Sequence, residues 1–94
     1  LKIEFAQSAV NDLDHAIQYY QEQGEPSVGE TFVKTISQKI ERLYKYPDSG
    51  RMVPEYQIEF LREVIVPPFR IVYRREEQIT VIRILRSERL LKLD

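Results

Sequence analysis

The stretch Leu61 to Leu90 constrains the fold more than any other part of the chain. It reads LREVIVPPFRIVYRREEQITVIRILRSERL, strand-sized apolar runs rich in β-branched and aromatic residues. Pro67-Pro68 and Glu76-Glu77 interrupt it, so the spacing predicts strands over Ile58 to Val66, Phe69 to Arg75 and Gln78 to Leu85. Connections this short demand an antiparallel-rich sheet.

The segments upstream change period. Lys2-Ile3-Glu4-Phe5 alternates polar and apolar, as a short half-buried strand does, and Ser8 offers an N-cap for the helix that follows. From Ala9 to Gln23, Val10, Leu13, Ala16, Ile17 and Tyr20 recur at helical spacing, while Asn11, Asp12, Gln18 and Glu22 face away. Gly24 suits a left-handed helix end, and Ser27-Val28-Gly29-Glu30 has the spacing of a capping box. A second helix then carries Val28, Phe32, Ile36, Ile40 and Leu43 until Pro47-Asp48-Ser49-Gly50 stops it. Arg51-Met52-Val53-Pro54-Glu55 reads as a loop. The expected fold is α+β, in the order β-α-α-β-β-β, with a long two-helix hairpin packed on one face of the sheet. Ninety-four residues hold one domain, 1–94.

Several chemistries are excluded by residue type. The chain has no cysteine, which removes disulfides, thiolate nucleophiles and cysteine-ligated zinc. Its lone histidine, His15, reads as an exposed helix residue, since a metal site or a Ser-His-Asp triad needs partners not in evident reach. Gly24, Gly29 and Gly50 sit at turns or helix boundaries, so no glycine loop is available to cradle a triphosphate. No cofactor and no metal are expected. With 31% charged residues and no apolar run near membrane length, no membrane association is expected either. Leu1 leads straight into a strand without the pattern of a secretory signal, and the expected location is cytoplasmic.

Charge is distributed unevenly. Seven of the nine arginines lie from Arg62 onward, whereas four of the five lysines precede it. Arginine's planar fork grips phosphate or carboxylate in a way lysine does not. Along Phe69 to Arg75, alternation puts Phe69, Ile71 and Tyr73 on one face and Arg70, Val72 and Arg74 on the other. Both faces of the last strand are mainly apolar. A helical hairpin covers one side only, so the other side is expected to stay bare and to receive a partner polypeptide. Arg62, Arg70, Val72, Arg74, Arg83, Arg86 and Arg89 are the candidate partner-binding residues. Against that stands the plainer reading in which nearby glutamates pair with arginines at the surface, for about 0–1 kcal/mol each. The plain reading leads for Arg62, Arg74 and Arg75; the functional one is level or ahead for Arg70 and Arg86. Tyr73 and Tyr56 read as core before they read as chemistry, by about two to one.

Ala9-x-x-Asp12-Leu13 with Ile17 and Tyr20, Gly50-Arg51, Phe69-Arg70-Ile71-Val72-Tyr73 and Arg86-Ser87-Glu88-Arg89, in this order, resemble the RelE/ParE superfamily of bacterial toxins from type II toxin–antitoxin modules. The resemblance spans the chain. It implies a toxin held inactive by a cognate antitoxin that covers its sheet, with plasmid stabilisation and growth inhibition as the associated roles. The superfamily divides into ribosome-dependent mRNA endoribonucleases and poisons of DNA gyrase.

For the nuclease branch, Arg70 matches the strand arginine that holds phosphate and Arg86 falls where a histidine or basic residue stands. Glu88 or Glu63 would have to serve as base. The candidate catalytic set is therefore Arg70, Arg86 and Glu88, and it lacks the C-terminal tyrosine of that branch. A guanidinium at position 86 does not release a proton near neutral pH. The long hairpin resembles the gyrase-directed, ParE-like branch, which is preferred and in which the chain is no enzyme. Expected partners are the cognate antitoxin and DNA gyrase, or alternatively the ribosome and mRNA. A homodimer or a heterotetramer with antitoxin would fit the family. The remaining reading is a non-toxic interaction or RNA-binding module.

Overall fold

A computed structural model of the chain describes residues 1–93. The elements are β1 (Ile3–Phe5), α1 (Gln7–Glu22), α2 (Pro26–Arg42), β2 (Arg51–Met52), β3 (Leu61–Val66), β4 (Phe69–Arg75) and β5 (Ile79–Arg86). They form one sheet in the order β1-β5-β4-β3-β2. β1 runs parallel to β5 and the other pairings are antiparallel. The α+β fold with its helical hairpin is as the periodicities predict. β2 is an addition: two residues carry no periodicity, so they read as loop until Arg51 and Met52 are seen opposite Glu63 and Arg62.

The apolar stripe of α1 runs through Ala9, Ala16 and Tyr20 with Leu13 beside it, while Val10 is exposed. The buried face keeps the expected Leu13, Ala16 and Tyr20 but takes Ala9 in place of Val10, and the small Ala9 and Ala16 let the helix lie close to the sheet. Asp12, expected to face away, meets β5 instead. Ser8 is not the N-cap. α1 begins at Gln7 after an extended Ala6, and the Ser8 hydroxyl donates to the Ile82 carbonyl at 2.6 Å. The cause is a sheet edge: β1 ends opposite Val81, leaving the backbone of β5 beyond it without a strand neighbour.

α2 likewise opens earlier than the capping-box spacing suggests. Pro26 occupies its first turn, where a missing N–H costs nothing, and no side chain caps it. Its buried face is Gly29, Phe32, Ile36 and Ile40, with Leu43 just beyond. Gly24 has φ 72°, the left-handed turn expected of it. At Gly29 a Cβ would sit 3.3 Å from the Tyr20 Cβ, so a bare glycine permits the close helix–helix contact.

Under the hairpin, Phe69, Ile71, Tyr73, Ile79, Val81 and Ile84 meet the helices in one apolar core, with Phe32 and Phe69 ring centroids 4.5 Å apart. The opposite face is not bare. Val53, Leu61, Val72, Leu85 and Leu91 form a second buried cluster, flanked by Ile58 and Ile82. β2 returns the chain to the sheet and drops Val53 onto this face, while the tail crosses it and inserts Leu91. The expectation of an uncovered sheet face is corrected: a loop and a tail too short to show a pattern of their own are enough to cover its middle, leaving Ile65, opposite Arg70 on the same face, 39% exposed.

Candidate functional site

The expected site residues fall into separate places. Val72 is 0% exposed within the second cluster, and Arg70 is 4% exposed. Neither is presented to a partner in this form of the chain. Arg70 sits on β4 opposite Ile65 and Leu85, where alternation turns it into the sealed face. There its Nη1 donates to Glu55 Oε1 and to Glu63 Oε1, each at 2.9 Å. Its Nη2 donates to Glu55 Oε2 and, at 2.6 Å, to the Arg89 carbonyl. Glu63 also accepts from Arg51 at 2.7 Å, and Glu55 accepts the Leu91 N–H at 2.7 Å.

Two carboxylates and two guanidinium groups thus cancel in charge and tie β2, β3, β4, the loop and the tail together. The Arg70 hydrogen bonds lower the Glu55 pKa from 4.5 to about 2, against the opposing effect of burial. The Arg70 pKa is raised, by the Glu55 hydrogen bond first. With both Nη groups so engaged, and only the buried Nε left without a partner, this cation is a fastener. Glu55 lay in an expected loop, and nothing in its surroundings signalled that role.

Arg62, Arg74 and Arg75 also have structural partners. Arg62 donates to the Gly50 carbonyl at 2.8 Å, Arg74 pairs with Glu76 at 3.2 Å, and Arg75 pairs with Asp48 at 3.3 Å. Tyr73 is core: its hydroxyl accepts the Gly50 N–H at 3.0 Å and donates to the Pro47 carbonyl at 2.9 Å. Burial raises its pKa. A Cβ on Gly50 would fall 2.6 Å from that hydroxyl and 2.8 Å from the Glu63 carbonyl oxygen, so the turn requires glycine. Tyr56 is exposed, and its hydroxyl accepts the Leu93 N–H at 3.1 Å.

The remaining three arginines converge. Arg83, Arg86 and Arg89 line a groove of about 380 Å³ between α1 and the end of β5, together with His15, Tyr19 and Phe69. A register irregularity at Val72/Tyr73 shifts β5 there, and Arg83 reaches α1. Its Nε lies 2.7 Å from Asp12 Oδ2 and its Nη2 3.1 Å from Oδ1. Asp12 Oδ2 also accepts the Ile84 N–H at 2.9 Å, which continues the cover of the open β5 edge. The Arg83 pKa is raised by the Asp12 hydrogen bond.

Arg86 lies 2.7 Å from Glu88, whose pKa it lowers, and 5.7 Å from the Phe69 ring centroid. Arg89 makes no ion pair among the described residues. The expected catalytic trio is therefore split: Arg86 and Glu88 stand at the groove, while Arg70 points into the sealed face. Sequence periodicity alone missed Asp12 and Tyr19 as groove residues, although Asp12 is part of the motif on helix 1. Among the described residues no cluster of histidine and carboxylate is placed to hold a metal ion, and no helix is long and apolar enough to cross a membrane.

Comparison with known proteins agrees with this architecture. A chain of a solved structure described as the chromosomal ParDE TA system from P. aeruginosa superposes with a TM-score of 0.75 at 22% identity, covering 94% of this chain and 97% of that one. At that identity the likeness establishes the fold. No curated protein sequence matches the chain. The family described as ParE toxin of type II toxin-antitoxin system, parDE, matches residues 3–91. A match over nearly every residue of the sheet and hairpin decides the assignment: the chain belongs to the ParE toxin family of type II toxin–antitoxin systems.

Proposed function

We propose that this protein arrests bacterial growth in the cytoplasm by trapping DNA gyrase on cleaved DNA, and that a cognate antitoxin neutralises it. The toxin makes and breaks no bond itself. The observation that carries the reading is the enclosure of Arg70. An mRNA nuclease of this superfamily would place that guanidinium on the phosphate; here its Nη donors are engaged by Glu55, Glu63 and the Arg89 carbonyl. Opening that network would expose uncompensated buried charge. Arg86 and Glu88 alone supply neither a proton acceptor tuned for a ribose hydroxyl nor a second fixed cation opposite it.

The antitoxin meets a surface different from the one a bare sheet would have offered. Leu91 occupies the second face, so an antitoxin either displaces the tail or binds outside it and along the hairpin. Incubating the purified toxin with gyrase and supercoiled plasmid is expected to accumulate cleaved DNA and to reduce supercoiling, with both effects abolished by the antitoxin. Unchanged gyrase at stoichiometric excess of toxin would refute the reading. Cut message on programmed ribosomes, lost in Arg86→Ala, would replace it with the nuclease reading.

A further inference from the structure

The groove beside α1 has a chemistry that membership in the family does not assign. One wall is helical, with Tyr19 and His15; the other carries Arg83, Arg86 and Arg89; Phe69 and Ile84 contribute to its floor. Two of the three cations are held in place before any ligand arrives. Asp12 grips Arg83 at two atoms and is itself committed to the Ile84 N–H, so it does not compete for the groove. Glu88 is 64% exposed at its side chain, and such an open ion pair with Arg86 costs little to exchange for a stronger anion.

Arg89 adds a third cation, close enough to Glu88 to help lower its pKa but in no direct ion pair among the described residues. Tyr19 adds an exposed ring steadied edge-on by Tyr20, with centroids 5.5 Å apart at 74°. Convergent guanidinium groups select phosphate, and an accessible aromatic face beside them selects a base. The volume of about 380 Å³ lies in the range of small-ligand sites and suits one nucleotide unit.

We infer that this groove binds a nucleotide unit of single-stranded DNA, its phosphodiester on Arg86 and Arg89 and its base against Tyr19. The phosphate-and-base chemistry stands on the groove alone. The choice of DNA over RNA rests on the gyrase reading, in which the toxin works beside opened DNA. An acidic peptide would use the same cations but gains nothing specific from the exposed ring.

Anisotropy of labelled oligothymidylate titrated with the full-length toxin at about 50 mM salt tests this, because phosphate contacts are strongest at low salt. Saturable binding is expected, weakened about tenfold by Arg89→Glu and by Tyr19→Ala, two exposed positions that leave the core intact. Lys39→Glu on α2 carries the same charge change far from the groove and is expected to shift affinity by less than about twofold. Oligouridylate binding tighter than oligothymidylate overturns the DNA assignment. Oligoglutamate competing as strongly as oligothymidylate, or Tyr19→Ala binding unchanged, overturns the nucleotide site. The same variants in the gyrase assay separate the two readings. Gyrase trapped without any oligonucleotide binding sinks the groove proposal alone, whereas groove-dependent oligonucleotide binding without gyrase trapping leaves the groove proposal standing and sinks the target.

Discussion

The two faces of the sheet are covered by different physical means. Beneath the hairpin, a broad apolar core joins two helices to three strands, and its contacts are nondirectional. On the opposite face only Val53, Leu61, Val72, Leu85 and Leu91 are fully buried in the cluster, and an ionic network supplies what area cannot. Arg70, Glu55 and Glu63 join covering segments that contribute few apolar side chains. The contrast shows how a short chain can protect both sides of a sheet with regular structure on one only. The thinner cover depends on geometry, so losing one partner harms it more than losing a methyl group.

The largest expected effect follows from that dependence. Arg70→Ala leaves Glu63 and Glu55 without their cation and is expected to destabilise the protein by about 3–5 kcal/mol in urea titration. Hydrogen exchange should show the Leu91 amide losing its protection first; a uniform loss across the hairpin would show that the two covers are not separable. Next, Ile71→Ala under the helices is expected to cost about 3 kcal/mol with the protection of Leu91 kept in proportion to global stability. Leu91→Ala, at the thinner cover, is expected to cost about 2 kcal/mol and to loosen residues 88–93 while α1 and α2 stay protected.

The smallest effect is in pH. Because the Glu55 pKa is lowered from 4.5 to about 2, its carboxylate stabilises the fold above its unfolded value and that contribution is lost as pH falls between them. Glu55→Gln removes the ionisation. The thermal stability gap between native protein and variant should therefore shrink from about pH 5 to about pH 2, and a gap constant over that window would contradict the latch.

Most of the architecture was legible because strong periodicities dominate it. β4 spans Phe69–Arg75 as its alternation predicts, and Gly24 turns left-handed where two helices must meet. The covered second face was not legible, since Val53 and Leu91 are isolated apolar residues in irregular segments and burial there is decided by three-dimensional return of the chain. Arg70 illustrates the same limit. An arginine amid strand residues signals an anion nearby, but whether that anion is Glu55 of the same molecule or a phosphate of another depends on where residues 53–60 fold. The groove is partly legible: Arg83, Arg86 and Arg89 stand out in the sequence, but it takes the register irregularity of β5 and the packing of α1 beside it to bring them to Asp12 and Tyr19.

The position of β5 has a consequence for the order in which the molecule can assemble. β5, the last strand of the domain, inserts between β1 and β4, so β1 finds no strand partner until β5 has been made. The hairpin can form earlier, but the edge contacts that seat α1, from Ser8 to Ile82 and from Asp12 to Ile84, also wait for it. A chain truncated before β5 therefore lacks both the strand that joins β1 to β4 and the groove wall that carries Arg83, Arg86 and Arg89.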